Sequence, residues 1–165
     1  AYIDRINMYD GPLNGVIAIA PDALQQAAAS DARRKAGKSL GALDGVPILL
    51  KDNIDAVGMP TTAGSWALEH NMPKVDAPVT ARLRAAGAII LGKANTSQFA
   101  GFRTATGLNG STLGGSTHNP YDPTRTAAGS SNGSGISASA SFAAGTIGTE
   151  TSGSIVGPSN VNGVV

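Results

Sequence analysis

Short apolar runs alternate with a helix-like segment in the first half of the chain. Two runs, Gly45–Leu50 and Ala88–Leu91, have the β-branched and apolar content of buried strands. Between them, apolar residues recur at helical spacing over Asp76–Ala86. A strand, a helix and a second strand in this order predict an α/β core that contains a crossover connection.

The flanking segments continue this alternation. A long stretch rich in Gly, Thr, Ser, Asn and Pro, Gly101–Ala128, predicts a loop. A loop of that length in a compact domain is usually functional. The other predicted elements are a strand at Gly15–Ala20, helices at Ala23–Ala36 and Ser134–Ala144, a strand at Gly145–Gly148 and a short helix at Ser159–Gly163.

Composition excludes several classes of function. The chain has 165 residues, a formal net charge of +1, 41% hydrophobic and 14% charged residues, which fits one globular domain rather than a disordered tail. Without a basic tract, neither a nucleic acid nor a membrane is expected as a partner. Zero cysteines exclude disulfides and thiolate nucleophiles, and two histidines leave little for a metal site, so no metal or cofactor is expected.

The two ends of the chain suggest a fragment. It starts at Ala1 rather than Met and stops at Val164-Val165, a pair typical of the middle of a strand. No secretory signal or membrane-spanning run is visible, which favours the cytoplasm. The compartment nevertheless stays open, because the native N-terminus can lie outside these residues.

Two familiar motifs are incomplete. Ala36–Ser39 resembles the end of a phosphate-binding loop, but Ala32 occupies the position of its first glycine. Gly129–Gly133 matches Gly-x-Ser-x-Gly, the nucleophile elbow of α/β-hydrolases, with Ser131 at its centre. The elbow needs a strand before it and a histidine after it, and the sequence offers neither.

Three further segments occur together and in order. They are Gly45–Asp55 (GVPILLKDNID), Ala128–Gly135 (AGSSNGSG) and Gly148–Ser159 (GTETSGSIVGPS). With Arg82–Phe102 and His118–Thr126 between them, they resemble the amidase signature family. The resemblance implies a mixed central sheet flanked by helices, incomplete here. It also implies that residues 1–165 form a single partial amidase domain, which continues beyond the C-terminus in full-length relatives.

The resemblance carries a catalytic triad onto this chain. The lysine of the first segment is Lys51, and the bridging serine, which the family holds on a cis peptide, is Ser130 after Gly129. The nucleophile is Ser154, 24 residues beyond Ser130. Ser131 fits a supporting hydrogen bond, since its use as the bridge breaks the family's spacing. Gly129 is expected to permit a strained turn at this point.

The same resemblance places an oxyanion hole at the backbone N–H groups of Thr151, Ser152, Gly153 and Ser154. The usual Thr-Asp-x-Gly-Gly-Ser-Ile-Arg is replaced by residues 149–156, Thr-Glu-Thr-Ser-Gly-Ser-Ile-Val. The acid is therefore longer and the arginine is lost, which puts the family's supporting ion pair in doubt. The Glu-Thr-x-Gly-Ser-Ile-Val form is similar to the peptide amidase branch.

Lysine serves as a base only when its amine is neutral. Its ordinary pKa is about 10.4, and a working value of about 7–8 requires burial. The apolar run before Lys51 is able to bury it. Nearby carboxylates favour the ammonium, so Asp52 and Asp55 are expected to point away.

These residues favour an amide hydrolase that acts on a small-molecule or peptide amide together with the remainder of its domain. Three alternatives stay open. One is the glutamine-hydrolysing subunit of a tRNA-dependent amidotransferase, against which Val156 argues. Another is a catalytically silent fragment. The third is an esterase that uses Ser131 as its nucleophile.

Overall fold

The computed structural model describes residues 1–102 and 109–164, and these form a mixed sheet with helices packed against it. The strands are β1 (Val16–Ile19), β2 (Pro47–Lys51), β3 (Ile89–Ala94), β4 (Gly110–Ser111), β5 (Gly115–Ser116) and β6 (Gly145–Ile147). The α-helices are α1 (Tyr2–Tyr9), α2 (Ala23–Lys35), α3 (Pro78–Ala85), α4 (Asn132–Ser139) and α5 (Val156–Val161). Short 3₁₀ turns cover Trp66–Leu68 and Gln98–Gly101.

The main sheet has four strands in the order β1-β3-β2-β6. Strand β2 lies in the interior and pairs in parallel with β3 on one side and β6 on the other, whereas β1 pairs with β3 antiparallel. Helix α3 connects β2 to β3, so the predicted crossover and the α/β class are confirmed. None of the described helices has both the length and the apolar content needed to cross a membrane.

The core is built on the two inner strands. Leu49 and Leu50 of β2 and Ile90 of β3 are fully buried, as are Ile136 and Phe142 from the α4 region. Burying each of these side chains is worth about 1.5–3 kcal/mol relative to leaving it exposed. The core therefore holds the two residues that directly precede Lys51, the last residue of β2.

Proline is compatible with an inner strand here because of its place in that strand. Pro47 is the first residue of β2, where the missing N–H interrupts no further ladder bond. Its carbonyl still accepts a hydrogen bond from the N–H of Ala144 at 3.1 Å. The apolar pattern thus predicted the strand correctly, with bounds that differ by one or two residues.

Several elements differ from the sequence predictions. The helix expected at Ser134–Ala144 is α4, which begins earlier and ends at Ser139, because Ser141 adopts a left-handed conformation with φ 56°. The short helix expected at Ser159–Gly163 is α5, which begins at Val156. Helix α1 was not predicted, and the stretch expected to be a loop, Gly101–Ala128, contains the β4–β5 hairpin.

Part of the stretch Gly101–Ala128, residues 103–108, lies outside the described residues. So does Val165, and Val164 lies in no strand.

Gly92 allows β1 and β3 to approach each other closely. A Cβ atom at this position would lie 2.2 Å from the carbonyl oxygen of Ala18 and 3.1 Å from the Cα of Ile19. Both neighbours are backbone atoms, which cannot move aside without shifting the strand. The pairing of these strands therefore requires glycine at this position.

We predict that Gly92→Ala lowers the free energy of unfolding of the full-length protein by about 1–3 kcal/mol, because the methyl group forces the strands apart. Urea unfolding of the two proteins measures the difference. The matched control is Gly11→Ala, since a Cβ at Gly11 has no atom within 4 Å. Equal losses of stability in the two variants would contradict this account of the strand pairing.

Candidate active site

Lys51 closes β2 with a side chain that is fully buried. Its Nζ lies 2.7 Å from Ser130 Oγ, 2.9 Å from Thr149 Oγ1 and 3.2 Å from the carbonyl oxygen of Thr149. An ammonium group has three protons to donate, and a neutral amine has two protons and a lone pair. The three oxygens can therefore satisfy either form, and Ser130 or Thr149 can donate its hydroxyl proton to the neutral amine.

Burial lowers the pKa of Lys51 from 10.5 to about 8. The main cause is the loss of hydration, which penalises the ammonium more than the amine. The charge of Glu150 partly offsets this effect, because a nearby carboxylate favours the ammonium. A substantial fraction of Lys51 is consequently neutral near pH 8.

Ser130 is held by its backbone as well as by Lys51. The peptide bond between Gly129 and Ser130 is cis. The Ser130 carbonyl accepts hydrogen bonds from the N–H of Ser97 and the hydroxyl of Thr96, both at 3.0 Å. A Cβ at Gly129 would lie 2.5 Å from Ser97 Oγ, so a larger residue there would require the Ser97 hydroxyl to turn away.

Ser131 joins the two serine-containing segments. Its N–H donates to the carbonyl of Ser154 at 3.0 Å, and its hydroxyl donates to the carbonyl of Thr149 at 3.1 Å. The same hydroxyl oxygen accepts from the Thr149 N–H at 3.2 Å. Ser131 is buried, and residues 123–128 before it form no strand. This environment suits a supporting residue, and it lacks the strand that a nucleophile elbow requires.

Ser154 is half-buried beside this framework. Its carbonyl is fixed by Ser131, and within the described residues its hydroxyl makes no hydrogen bond. The structure therefore joins Lys51 directly to Ser130 and brings the backbone of Ser154 next to them, without a hydrogen bond between the two serine hydroxyls. Catalytic hydrogen bonds are often loose or unformed in the absence of substrate.

The turn before Ser154 is exposed and is organised by Glu150. The Glu150 carboxylate accepts hydrogen bonds from the N–H groups of Gly153 and Ile155, each at 2.6 Å, and of Val156 at 2.9 Å. These backbone donors lower the pKa of Glu150. The acid that the family pairs with arginine thus binds backbone amides in this chain.

Glu150 occupies one of the four N–H groups that are expected to form the oxyanion hole. Gly153, at φ 76°, has its N–H occupied by the carboxylate. The N–H groups of Thr151, Ser152 and Ser154 have no partner among residues 1–102 and 109–164. Three of the four amides are therefore free to bind a ligand.

Thr149 and Asn53 are site residues that the sequence reasoning missed. Thr149 supplies two of the three oxygens around Lys51 Nζ, and Asn53 Nδ2 donates to Thr149 Oγ1 at 2.9 Å. Both residues lie within the two segments that carry Lys51 and Ser154. Their motif positions were thus visible in the sequence, but the direction of their side chains was not.

The carboxylate next to Lys51 points away from it, as expected. Asp52 Oδ1 lies 3.4 Å from Lys93 Nζ, and the Asp52 side chain also binds Thr62 and Gly64. Asp55 acts electrostatically on Lys93. In the described part of the chain, no group of three or more His, Asp or Glu side chains could hold a metal ion.

Comparison with known proteins gives consistent results. The family model described as Amidase matches residues 1–165. The chain is 46% identical to a glutamyl-tRNA(Gln) amidotransferase subunit of Thermobifida fusca, over all of this chain and 32% of that protein. It is 42% identical to a putative amidase of Arthroderma benhamiae, over 99% of this chain and 28% of that protein.

Among solved structures, the peptide amidase of Stenotrophomonas maltophilia is 48% identical and superposes with a TM-score of 0.94, over 98% of this chain and 34% of that one. The chain thus spans about a third of the length of the proteins it matches. These results confirm the resemblance stated from the motifs: the chain belongs to the amidase signature family.

Proposed function

We propose that the full-length protein hydrolyses amides through an acyl-enzyme on Ser154, with Ser130 as proton bridge and Lys51 as neutral base. One observation carries the proposal. The Lys51 amine is fully buried, has a pKa lowered to about 8 and lies 2.7 Å from the Ser130 hydroxyl. A base of this kind near neutral pH is what a serine nucleophile requires.

The proposed reaction begins with two linked proton transfers. Ser130 gives its proton to the lone pair of Lys51 and takes the proton of Ser154, whose Oγ forms a bond to the amide carbonyl carbon. The proton held by Lys51 then returns through Ser130 to the leaving nitrogen as the C–N bond breaks. Water repeats the sequence on the ester, which releases the carboxylic acid and restores Ser154.

The developing oxyanion needs donors that are already in place. The unoccupied N–H groups of Thr151, Ser152 and Ser154 support this role. The fourth expected donor, Gly153, can join only when Glu150 releases it, because one N–H cannot point at both oxygens. Glu150 therefore acts in this proposal mainly by shaping the turn.

The branch of the family supports a proposal for the class of substrate. The peptide amidase match and Val156 in place of arginine support a peptide-type carboxamide as substrate. The amidotransferase relative at 46% identity favours a second candidate, glutamine hydrolysis within a complex. Ammonia release from a peptide carboxamide without any partner protein distinguishes the first from the second.

We predict that Ser154→Ala abolishes labelling of the full-length protein by a fluorophosphonate and lowers kcat by at least about 10³-fold, since it removes the nucleophile. Lys51→Met should lower kcat to a similar extent with the fold retained. Peptide mapping of the label and steady-state kinetics provide the measurements.

The comparison variant is Ser131→Ala, which keeps Ser154 and Lys51 and should still be labelled at Ser154. An esterase that uses Ser131 gives the reverse pattern, with activity lost in Ser131→Ala and retained in Lys51→Met. A full-length protein that never labels at Ser154 indicates a silent member of the family.

We also predict that Thr149→Val shifts the acid limb of the kcat/KM profile to lower pH by about one unit or more. The ammonium form of Lys51 loses one of its three acceptors, whereas the neutral amine needs only two. The pKa of Lys51 therefore falls and the neutral base persists to lower pH. Thr149→Ser keeps the hydroxyl and should leave the limb close to its original position. An upward shift in Thr149→Val would contradict this account of the lysine's surroundings.

A further inference from the structure

A second fully buried lysine lies close to the site without taking part in the proposed chemistry. Lys93 belongs to β3, and its Nζ donates to the carbonyl of Ile54 at 2.7 Å and to Thr61 Oγ1 at 3.1 Å. Its third contact is Asp52 Oδ1 at 3.4 Å, which forms an ion pair. Every ammonium proton of Lys93 thus has an acceptor. Burial lowers the pKa of Lys93, and the charge of Asp52 acts against this effect.

Asp52 is buried just as completely. Its carboxylate accepts hydrogen bonds from the N–H of Thr62 at 3.3 Å, the N–H of Gly64 at 3.2 Å and the hydroxyl of Thr62. Its backbone N–H donates to the carbonyl of Ala94 at 3.0 Å. Asp52 therefore ties the end of β2 to both β3 and the segment around residue 62.

The ion pair and the Lys51 side chain lie on opposite faces of the sheet, at the carboxyl ends of β2 and β3. In the parallel register, Lys51 is opposite Ala94 and Leu50 is opposite Lys93. Because side chains alternate along a strand, Lys93 and Lys51 point to opposite faces, and so do Lys51 and Asp52. The ion pair therefore lies on the face of the sheet opposite to the one that carries the Lys51 amine.

Within residues 1–102 and 109–164, few other charges act on the two lysines. On the side of Lys51, Glu150 is the carboxylate that acts on the amine. On the side of Lys93, Asp55 adds to the effect of Asp52. A buried charge that lost its partner would therefore act on Lys51 with little compensation, since screening is weak in the interior.

We propose that Asp52 and Lys93 are positioning residues of the candidate site: they form a buried ion pair that anchors the strand end carrying Lys51 and keeps the charge behind its amine balanced. An unpaired Asp52 would favour the ammonium form of Lys51, and an unpaired Lys93 would favour the amine. The intact ion pair has no net charge and therefore favours neither form of Lys51. This inference extends the proposed function, since it concerns what keeps Lys51 neutral.

Each member of the pair keeps hydrogen-bond partners when the other is removed. Without Asp52, Lys93 retains Ile54, Thr61 and the influence of Asp55. Without Lys93, Asp52 retains the donors on Thr62 and Gly64. Asp52→Asn therefore removes a negative charge from the far side of the strand ends, and Lys93→Met removes a positive one.

The experiment uses the full-length protein in four forms: unaltered, Asp52→Asn, Lys93→Met and the double variant. The titration of Lys51 is followed by NMR of ¹³Cε-labelled lysine, and the acid limb of kcat/KM is recorded alongside. We expect the Lys51 midpoint to fall by about one pH unit in Asp52→Asn and to rise by about one unit in Lys93→Met. The double variant should return close to the starting value.

The control is Asp44→Asn, which breaks the Arg33–Asp44 ion pair before the start of β2, at the end opposite Lys51. It should change stability and leave the Lys51 midpoint in place. Shifts of the same sign in the two single variants, or no shift in either, would overturn the inference. Opposite shifts in a protein that proves inactive would uphold it and would reject only the proposed function.

Discussion

The removal of one lysine amine from water is the constraint on which the rest of this site depends. Lys51 is fully buried, and its pKa is lowered from 10.5 to about 8. That shift corresponds to about 3 kcal/mol. The unfolded chain keeps the Lys51 proton up to about pH 10.5, whereas the folded chain releases it near pH 8. Burial of the ammonium therefore lowers the free energy of unfolding by the full amount below about pH 8. This penalty disappears as the pH rises towards 10.5. Burial of this amine therefore costs the fold stability at neutral pH.

The sheet explains how the partners of that amine come together. Strands β2, β3 and β6 are parallel, so their carboxyl ends meet at one edge, where ligands commonly bind in α/β proteins. Lys51 ends β2, Thr96 and Ser97 follow β3, and Thr149 follows β6. Ser130 reaches the same edge just before helix α4. One topology thus supplies the candidate base Lys51, its hydrogen-bond partners and the backbone hydrogen bonds that hold Ser130.

The sequence allowed the candidate base and the serine segments to be identified because their residue types and order are specific. Gly45–Leu50 was apolar enough to predict both a buried strand and the burial of Lys51. The start of α4 could not be predicted, since a helix rich in glycine and serine has no periodic apolar positions to detect. Nor could the sequence show that Glu150 binds the Gly153 amide or that Asp52 pairs with Lys93. These contacts depend on side-chain directions that only the folded chain determines.

The titration of Lys51 in the unaltered full-length protein tests the central claim most directly. The ¹³Cε resonance of this lysine should move with a midpoint near pH 8, because the buried site disfavours the ammonium form. A midpoint at the ordinary value of about 10.5 would show that the amine stays charged near neutral pH. Lys51 could not then serve as the base for Ser130 and Ser154.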